Sequence, residues 1–152
     1  LVGYLGAGKQ MDFEKLDFWE EIKDQVTFYG FMETHLAYEI SKKCKVGLCI
    51  KNQSNSMLVS HERKLFEYMC IGLPSIYCDA NIYKDLSAYA EIGIAVNLEH
   101  EVEISNAIFS LLTNPSKLNE FSRNNLSLAR DYFNWQFEEK KLHQLYYHIL
   151  RK

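Results

Sequence analysis

A lysine and a glutamate, Lys64 and Glu67, stand three positions apart in the run SHERKLFEYMCIGLPSIYCD, residues 60–79. That spacing puts both on roughly one helix face. Such a pair has two uses. It can form a solvated surface ion pair of little energetic value. Alternatively, at the mouth of an α/β sheet, the ammonium can meet a phosphate near a helix N-terminus, where free N–H groups and the positive dipole end already favour an anion. The carboxylate can then accept hydrogen bonds from sugar hydroxyls. Ser60, His61 and Arg63 stand beside them. Arg63 is also a phosphate ligand by type, although a solvated helix arginine is the plainer reading.

The elements that must hold these residues are legible around them. Ser60 is placed to cap a helix through its hydroxyl, and Leu65, Phe66 and Met69 recur at helical spacing as its buried face. Gly72 suits the left-handed residue that ends a helix, and Pro74 prevents continuation. Ser75–Cys78 reads as a short buried strand, with Asp79 at its carboxyl end. Before the helix, Val46–Ile50 is an apolar run of strand length. Lys51–Met57, rich in Asn and Ser, is then a loop at the carboxyl edge of that strand, where open α/β sheets bind ligands.

The remainder alternates strand and helix. Leu1–Leu5 reads as a strand and Asp12–Asp24 as an amphipathic helix burying Phe13, Leu16, Trp19 and Ile22. Val26–Tyr29 reads as a strand closed by Gly30. Phe31 after it suits either core packing or the lining of a base pocket. Glu33–Lys45 reads as a helix with Leu36, Ile40 and Cys44 inward, and Tyr83–Glu91 as a short helix. Gly93–Val96 reads as a last strand. Glu101–Leu112 is a helix with Val102, Ile104, Ile108, Leu111 and Leu112 in one buried stripe. Asn114-Pro115 breaks it, Ser116 is positioned to cap a helix running to about Arg130, and Trp135–Leu150 closes the chain. The pattern predicts one domain over 1–152: a Rossmann-like parallel sheet with helices on both faces.

Two glycine patterns near the start carry less. Gly3-x4-Gly8-Lys9 is followed by Gln10, where a P-loop needs Ser or Thr for magnesium. Gly6-x-Gly8 lacks the third glycine of a dinucleotide fingerprint, because Met11 occupies its place. A strand-to-helix turn accounts for these glycines.

Composition bounds the partners. Net charge is −3, which gives no electrostatic case for nucleic acid. No apolar run approaches a membrane span of about 18 residues, and no secretory pattern is seen. Cys44, Cys49, Cys70 and Cys78 include no C-x-x-C pair and read as small buried thiols rather than disulfides or zinc ligands. The scattered histidines form no metal-ligand cluster.

Lys64-Leu65-Phe66-Glu67-Tyr68-Met69 followed by Gly72-Leu73-Pro74 resembles the KLFEYM…GLP signature of family 4 (group 1) glycosyltransferases of the GT-B fold. The likeness extends along most of the chain: a G-x-G turn at Gly6–Gly8, a V-x-F-x-G segment at Val26–Gly30, and a tail with Leu111–Pro115, Ala129-Arg130, Trp135 and Leu145-Tyr146. It implies the C-terminal, donor-binding half of a GT-B enzyme, lacking its first strand and helix, with Glu67 on the nucleotide ribose and Lys64 on phosphate. Ser60, His61, Arg63 and Phe31 complete the implied donor site. The implied substrate is a nucleotide-diphosphate sugar, with no cofactor and no obligatory metal. The implied activity is retaining hexosyl transfer to a glycan or lipid-linked acceptor in surface-polysaccharide synthesis, in the cytoplasm at the inner membrane face. The catalytic acid–base residue then lies in a separate N-terminal domain, so this domain alone is expected to be inactive, and the full-length enzyme to associate peripherally with membrane. The chain opens inside an apolar run without a methionine, as expected of a fragment.

One departure stands out. Many family members carry a sugar-contacting glutamate at the position matched by Val59. A non-catalytic GT-B scaffold is therefore the alternative function, and a P-loop nucleotide-binding protein a third. With its partner domain absent, the final helix is expected to expose some of Trp135, Phe137 and Tyr146 and so promote self-association.

Overall fold

In the computed structural model, the described residues are 2–3, 13–50, 63–79, 83, 86 and 88–151. The chain divides into two compact units, 1–40 and 41–152.

In the first unit, β1 (Val2–Gly3) pairs in parallel with β2 (Thr27–Phe28), Val2 opposite Thr27. Between them lie α1 (Trp19–Ile22) and a 3-10 turn, Lys23–Gln25. The helix expected over Asp12–Asp24 is therefore much shorter. Its cause is aromatic: Phe13 and Trp19 both pack on Phe28, with ring centroids 5.6 and 5.8 Å away. Six residues turn a helix through about 600°, which leaves those two side chains on different faces, so the chain must bend between them. Leu16 is consequently exposed. Gly30 has φ of 64° and makes the turn after β2. Helix α2 (Thr34–Ser41) is also shorter than the expected Glu33–Lys45. Leu36 is exposed rather than inward; Ala37 and Ile40 are half-buried.

The second unit is built on a three-stranded parallel sheet in the order β3 (Gly47–Cys49), β4 (Ser75–Cys78), β5 (Gly93–Val96). Leu48 lies opposite Ile76, and Ile76 opposite Ile94. Every residue of β4 is buried, as expected of a central parallel strand covered on both faces. Side chains alternate across the sheet. Cys49 and Tyr77 join Leu65 and Met69 of α3 (Arg63–Cys70) in one core layer. Ile76 and Val96 join Ala107 and Leu111 of α4 (Glu101–Leu112) in another, flanked by Leu48 and Ile94. Helix α5 (Pro115–Asp131) contributes Leu128 to the first layer and Phe121 to the second. Helices thus cover both faces.

Local corrections have simple causes. Asn114, not Ser116, caps α5: its side chain accepts from the Lys117 N–H at 3.0 Å, and Pro115 takes the first helical position. In α4, Val102 and Leu112 are exposed, because Ala107 and Leu111 carry the buried stripe. Of the cysteines, all free, Cys49 and Cys78 are buried, Cys44 is half-buried and Cys70 is exposed on α3. Helix α6 (Trp135–Leu150), capped by Asn134 through the Phe137 N–H at 2.9 Å, exposes Trp135 and Tyr146; Phe137 is half-buried beside Tyr132. Tyr83 and Leu86 are helical and buried, but residues 88–91 are turn and irregular chain, so the helix expected over Tyr83–Glu91 ends earlier; residues 84, 85 and 87 lie outside the described residues. Also outside them lie the strand ends around Leu1–Leu5, the Gly6–Lys9 turn and the Lys51–Met57 loop. Among the described residues no helix is long and apolar enough to cross a membrane.

Candidate donor site

Helix α3 links β3 to β4, which run in parallel. A parallel connection has to return the chain to the starting edge, so α3 runs back against the strands with its first turn at their carboxyl ends. The expected end of α3 is observed: Gly72 has φ of 68°, and its N–H donates to the Met69 carbonyl at 3.1 Å. Pro74 then leads directly into β4, and its carbonyl accepts from the Gly47 N–H at 2.8 Å.

The buried side of α3 fixes what its other side presents. Leu65 and Met69, one turn apart, are inside the core. Phe66 meets the Phe133 ring edge-on at 5.4 Å. Tyr68 covers Gly47, leaving a gap into which no Cβ fits: one would lie 2.6 Å from the ring. The Tyr68 hydroxyl donates to the Leu48 carbonyl at 3.4 Å, and burial pushes its pKa up to about 12. Arg63, Lys64 and Glu67 occupy the remaining face, with Arg63 and Lys64 exposed and Glu67 half-buried.

Glu67 pairs with Arg63 rather than with Lys64. The Arg63 Nε lies 3.3 Å from Glu67 Oε1, an i,i+4 contact in which the arginine side chain is 91% exposed and the glutamate 33%. The sequence-level pairing of positions 64 and 67 thus gives way to the better-spaced pair one residue earlier. Among the described residues no partner is seen for the Lys64 ammonium, which leaves it available to an anion. Asp79, at the carboxyl end of β4, is exposed, and its N–H donates to the Val96 carbonyl at 2.8 Å. With Glu91 it adds to the effect of burial in raising the Tyr77 pKa.

Three of the six expected donor residues, Arg63, Lys64 and Glu67, are therefore together on one helix. Phe31 belongs to the first unit, where it is 85% exposed just after the Gly30 turn and packs into no core of this chain among the described residues. Ser60 and His61, with Val59, lie outside the described residues. Among the described residues no group of three or more His, Cys, Asp or Glu side chains is arranged to hold a metal ion. Tyr68 was not singled out as a positioning residue, although an aromatic three residues before a buried turn and adjacent to Glu67 was its available signal.

No protein-family model and no curated protein sequence matches the chain. Solved structures do. HepE of Anabaena, crystallised in complex with UDP, superposes with a TM-score of 0.75 at 16% identity, over 95% of this chain and 40% of that one. Sucrose-phosphate synthase of Thermosynechococcus elongatus gives a TM-score of 0.76 at 20% identity, over 99% of this chain and 38% of that one. The chain thus spans about two fifths of the length of each. At these identities the likeness is one of fold: the chain is an α/β domain of the kind found in GT-B glycosyltransferases.

Proposed function

We propose that the chain is the donor-binding, C-terminal domain of a family 4 retaining glycosyltransferase. The observation that carries this reading is the fold match, over 95% of the chain, to a protein solved with UDP bound. The half-buried Glu67 and the exposed Lys64 on the carboxyl side of the sheet supply chemistry suited to a nucleotide-diphosphate sugar.

In this reading Glu67 accepts hydrogen bonds from the ribose hydroxyls. That binding is remote from the reacting bond and can be used to hold it in place. Lys64, Arg63, Ser60 and His61 are assigned to the diphosphate. During transfer the bond from the sugar anomeric carbon to the diphosphate oxygen breaks, and a bond to an acceptor hydroxyl oxygen forms. The acceptor's proton passes to the acid–base group of the N-terminal domain, and negative charge accumulates on the leaving diphosphate. The Lys64 ammonium and helix N–H groups stabilise that charge without a metal ion. The sugar is a hexosyl unit, and the acceptor a glycan or lipid-linked glycan of a surface polysaccharide. An N-terminal domain supplies the acceptor site and the acid–base group, so this domain alone does not turn over. The full-length enzyme works in the cytoplasm and associates peripherally with the inner membrane face.

A second reading, a GT-B scaffold that has lost donor binding, draws on two features: the Glu67 carboxylate is already engaged by Arg63, and position 59 is valine. Ligand-observed NMR of the chain with UDP, GDP, ADP and CMP separates the two. The donor-site reading expects one nucleotide to bind, with binding weakened at least about tenfold by Glu67→Ala and indifferent to magnesium. Silence from all four with a folded sample, and again with the two-domain parent, sinks it in favour of the scaffold.

A further inference from the structure

A cavity lies within the larger unit at the amino ends of β3 and β4, the opposite end of the sheet from the first turn of α3. It occupies about 400 Å3 between the end of α3 and the start of α5, beneath the residues that lead into β3 and β4. Its size falls in the range of small-molecule sites. Its lining has two kinds of surface. Leu73 and Leu118 are among the apolar groups, while Asn119 and Ser122 offer an amide and a hydroxyl. The charged groups lining it are Lys42 and Lys45, and no carboxylate lines it among the described residues.

That balance is unusual for this chain, which carries 20 acidic against 17 basic residues. Lys45 brings an ammonium into a lining without a carboxylate, on an otherwise acidic protein. Lysines at helix ends also complement the C-terminal dipoles of helices such as α2 and α3. That role accounts for their sign but not for a cavity with apolar walls and hydrogen-bonding groups beside them.

We propose that this cavity binds a small amphiphilic anion: a carboxylate or phosphate monoester with a short apolar body. The head group lies toward Lys42 and Lys45 with Ser122 and Asn119 donating, and the body lies against Leu73 and Leu118. The site lies at the other end of the strands from the proposed nucleotide site.

The test is a 15N–1H NMR titration of the full chain with hexyl phosphate, hexanoate and uncharged hexanol. Saturable shifts at the Leu73, Leu118 and Ser122 amides are expected with at least one of the two anions, and which of them binds identifies the head group. Hexanol and the Lys42→Ala/Lys45→Ala double variant should each show binding weakened at least about tenfold. Both lysines are exposed, so the double variant keeps its fold, and dispersion of its spectrum verifies this. No saturable shift with either anion up to about 20 mM overturns the proposal. So does hexanol binding as well as the anions, or unchanged anion binding in the double variant. UDP titrated in the same sample reports on α3's first turn instead, so failure of one site is distinguishable from failure of the other.

Discussion

The Tyr68 ring fills the space a side chain at Gly47 would need, with two ring carbons 2.6 Å from the position of a Cβ there. Gly93 is tighter still: its Cβ would fall 1.8 Å from the Ser75 backbone oxygen across the β4–β5 ladder. The two glycines differ in what must give way. A ring can tilt, whereas a paired strand cannot move without breaking its hydrogen bonds. Gly47→Ala should therefore cost about 1–3 kcal/mol. Gly93→Ala should cost more and abolish cooperative unfolding. Urea denaturation of both variants checks the order, and a milder effect at Gly93 would contradict the β4–β5 register.

Tyr68 also predicts an alkaline limit. Burial, the leading cause, raises its pKa to about 12, and burial likewise raises that of Tyr77. The folded chain therefore holds these protons more tightly than the unfolded chain does. The associated stability is fully present below the unfolded phenol pKa of about 10 and is lost as pH rises through about 12. Tyr68→Phe should reduce that loss without removing it, because Tyr77 remains. The check is urea midpoints measured between about pH 9 and 12.

Asn125 is wholly buried, and its amide donates to the Ile92 carbonyl at 2.9 Å and to the Leu73 carbonyl at 3.4 Å. It ties together the segments that enter β4 and β5. Asn125→Ala should cost about 2–3 kcal/mol, by leaving buried carbonyls unpaired and opening a cavity. Asn125→Asp gives a sharper test. A neutral carboxyl can still donate to one carbonyl, whereas a buried carboxylate facing two carbonyl oxygens is strongly disfavoured. That variant should lose stability as pH rises from about 4 to 7, against the trend of an ordinary carboxylate. Circular dichroism melts at the two pH values read it directly.

The residues proposed for the donor site make separable predictions. Arg63 is nine-tenths exposed, so its pair with Glu67 adds little to stability, and Arg63→Ala should shift unfolding by no more than about 0.5 kcal/mol. Lys64→Ala should leave stability similarly unchanged but weaken nucleotide binding about five- to tenfold, with a shallower dependence on salt. Calorimetric titration at two ionic strengths measures both. Equal affinity for wild type and Lys64→Ala would remove Lys64 from the site.

The readable parts of the sequence were those fixed by single-residue physics. Gly72 declared the end of α3, and Ser75–Cys78 declared a strand buried on both faces. The GT-B-like fold followed from alternating elements together with the likeness around residues 64–74. What could not be read was decided between elements. Phe28 gathers Phe13 and Trp19 and so shortens α1. Asn114 and Ser116 are both good caps, and Pro115 at the first helical position decides for Asn114. The Arg63–Glu67 contact depended on which of two adjacent cations had the better spacing, and the exposure of Phe31 on what packs after Gly30.

Of α6, only Phe137 is even half-buried, and every residue from Glu138 to Leu150 is exposed. An isolated helix of that length is marginal in water. Melting it from its C-terminal end would uncover almost no apolar surface that is not already wet. It should therefore contribute little to the denaturant slope or to the heat capacity of unfolding, both of which track newly exposed area. Amide hydrogen exchange is the method able to see this event, as protection that declines steadily from Phe137 toward Leu150 while the β4 amides exchange only on global opening.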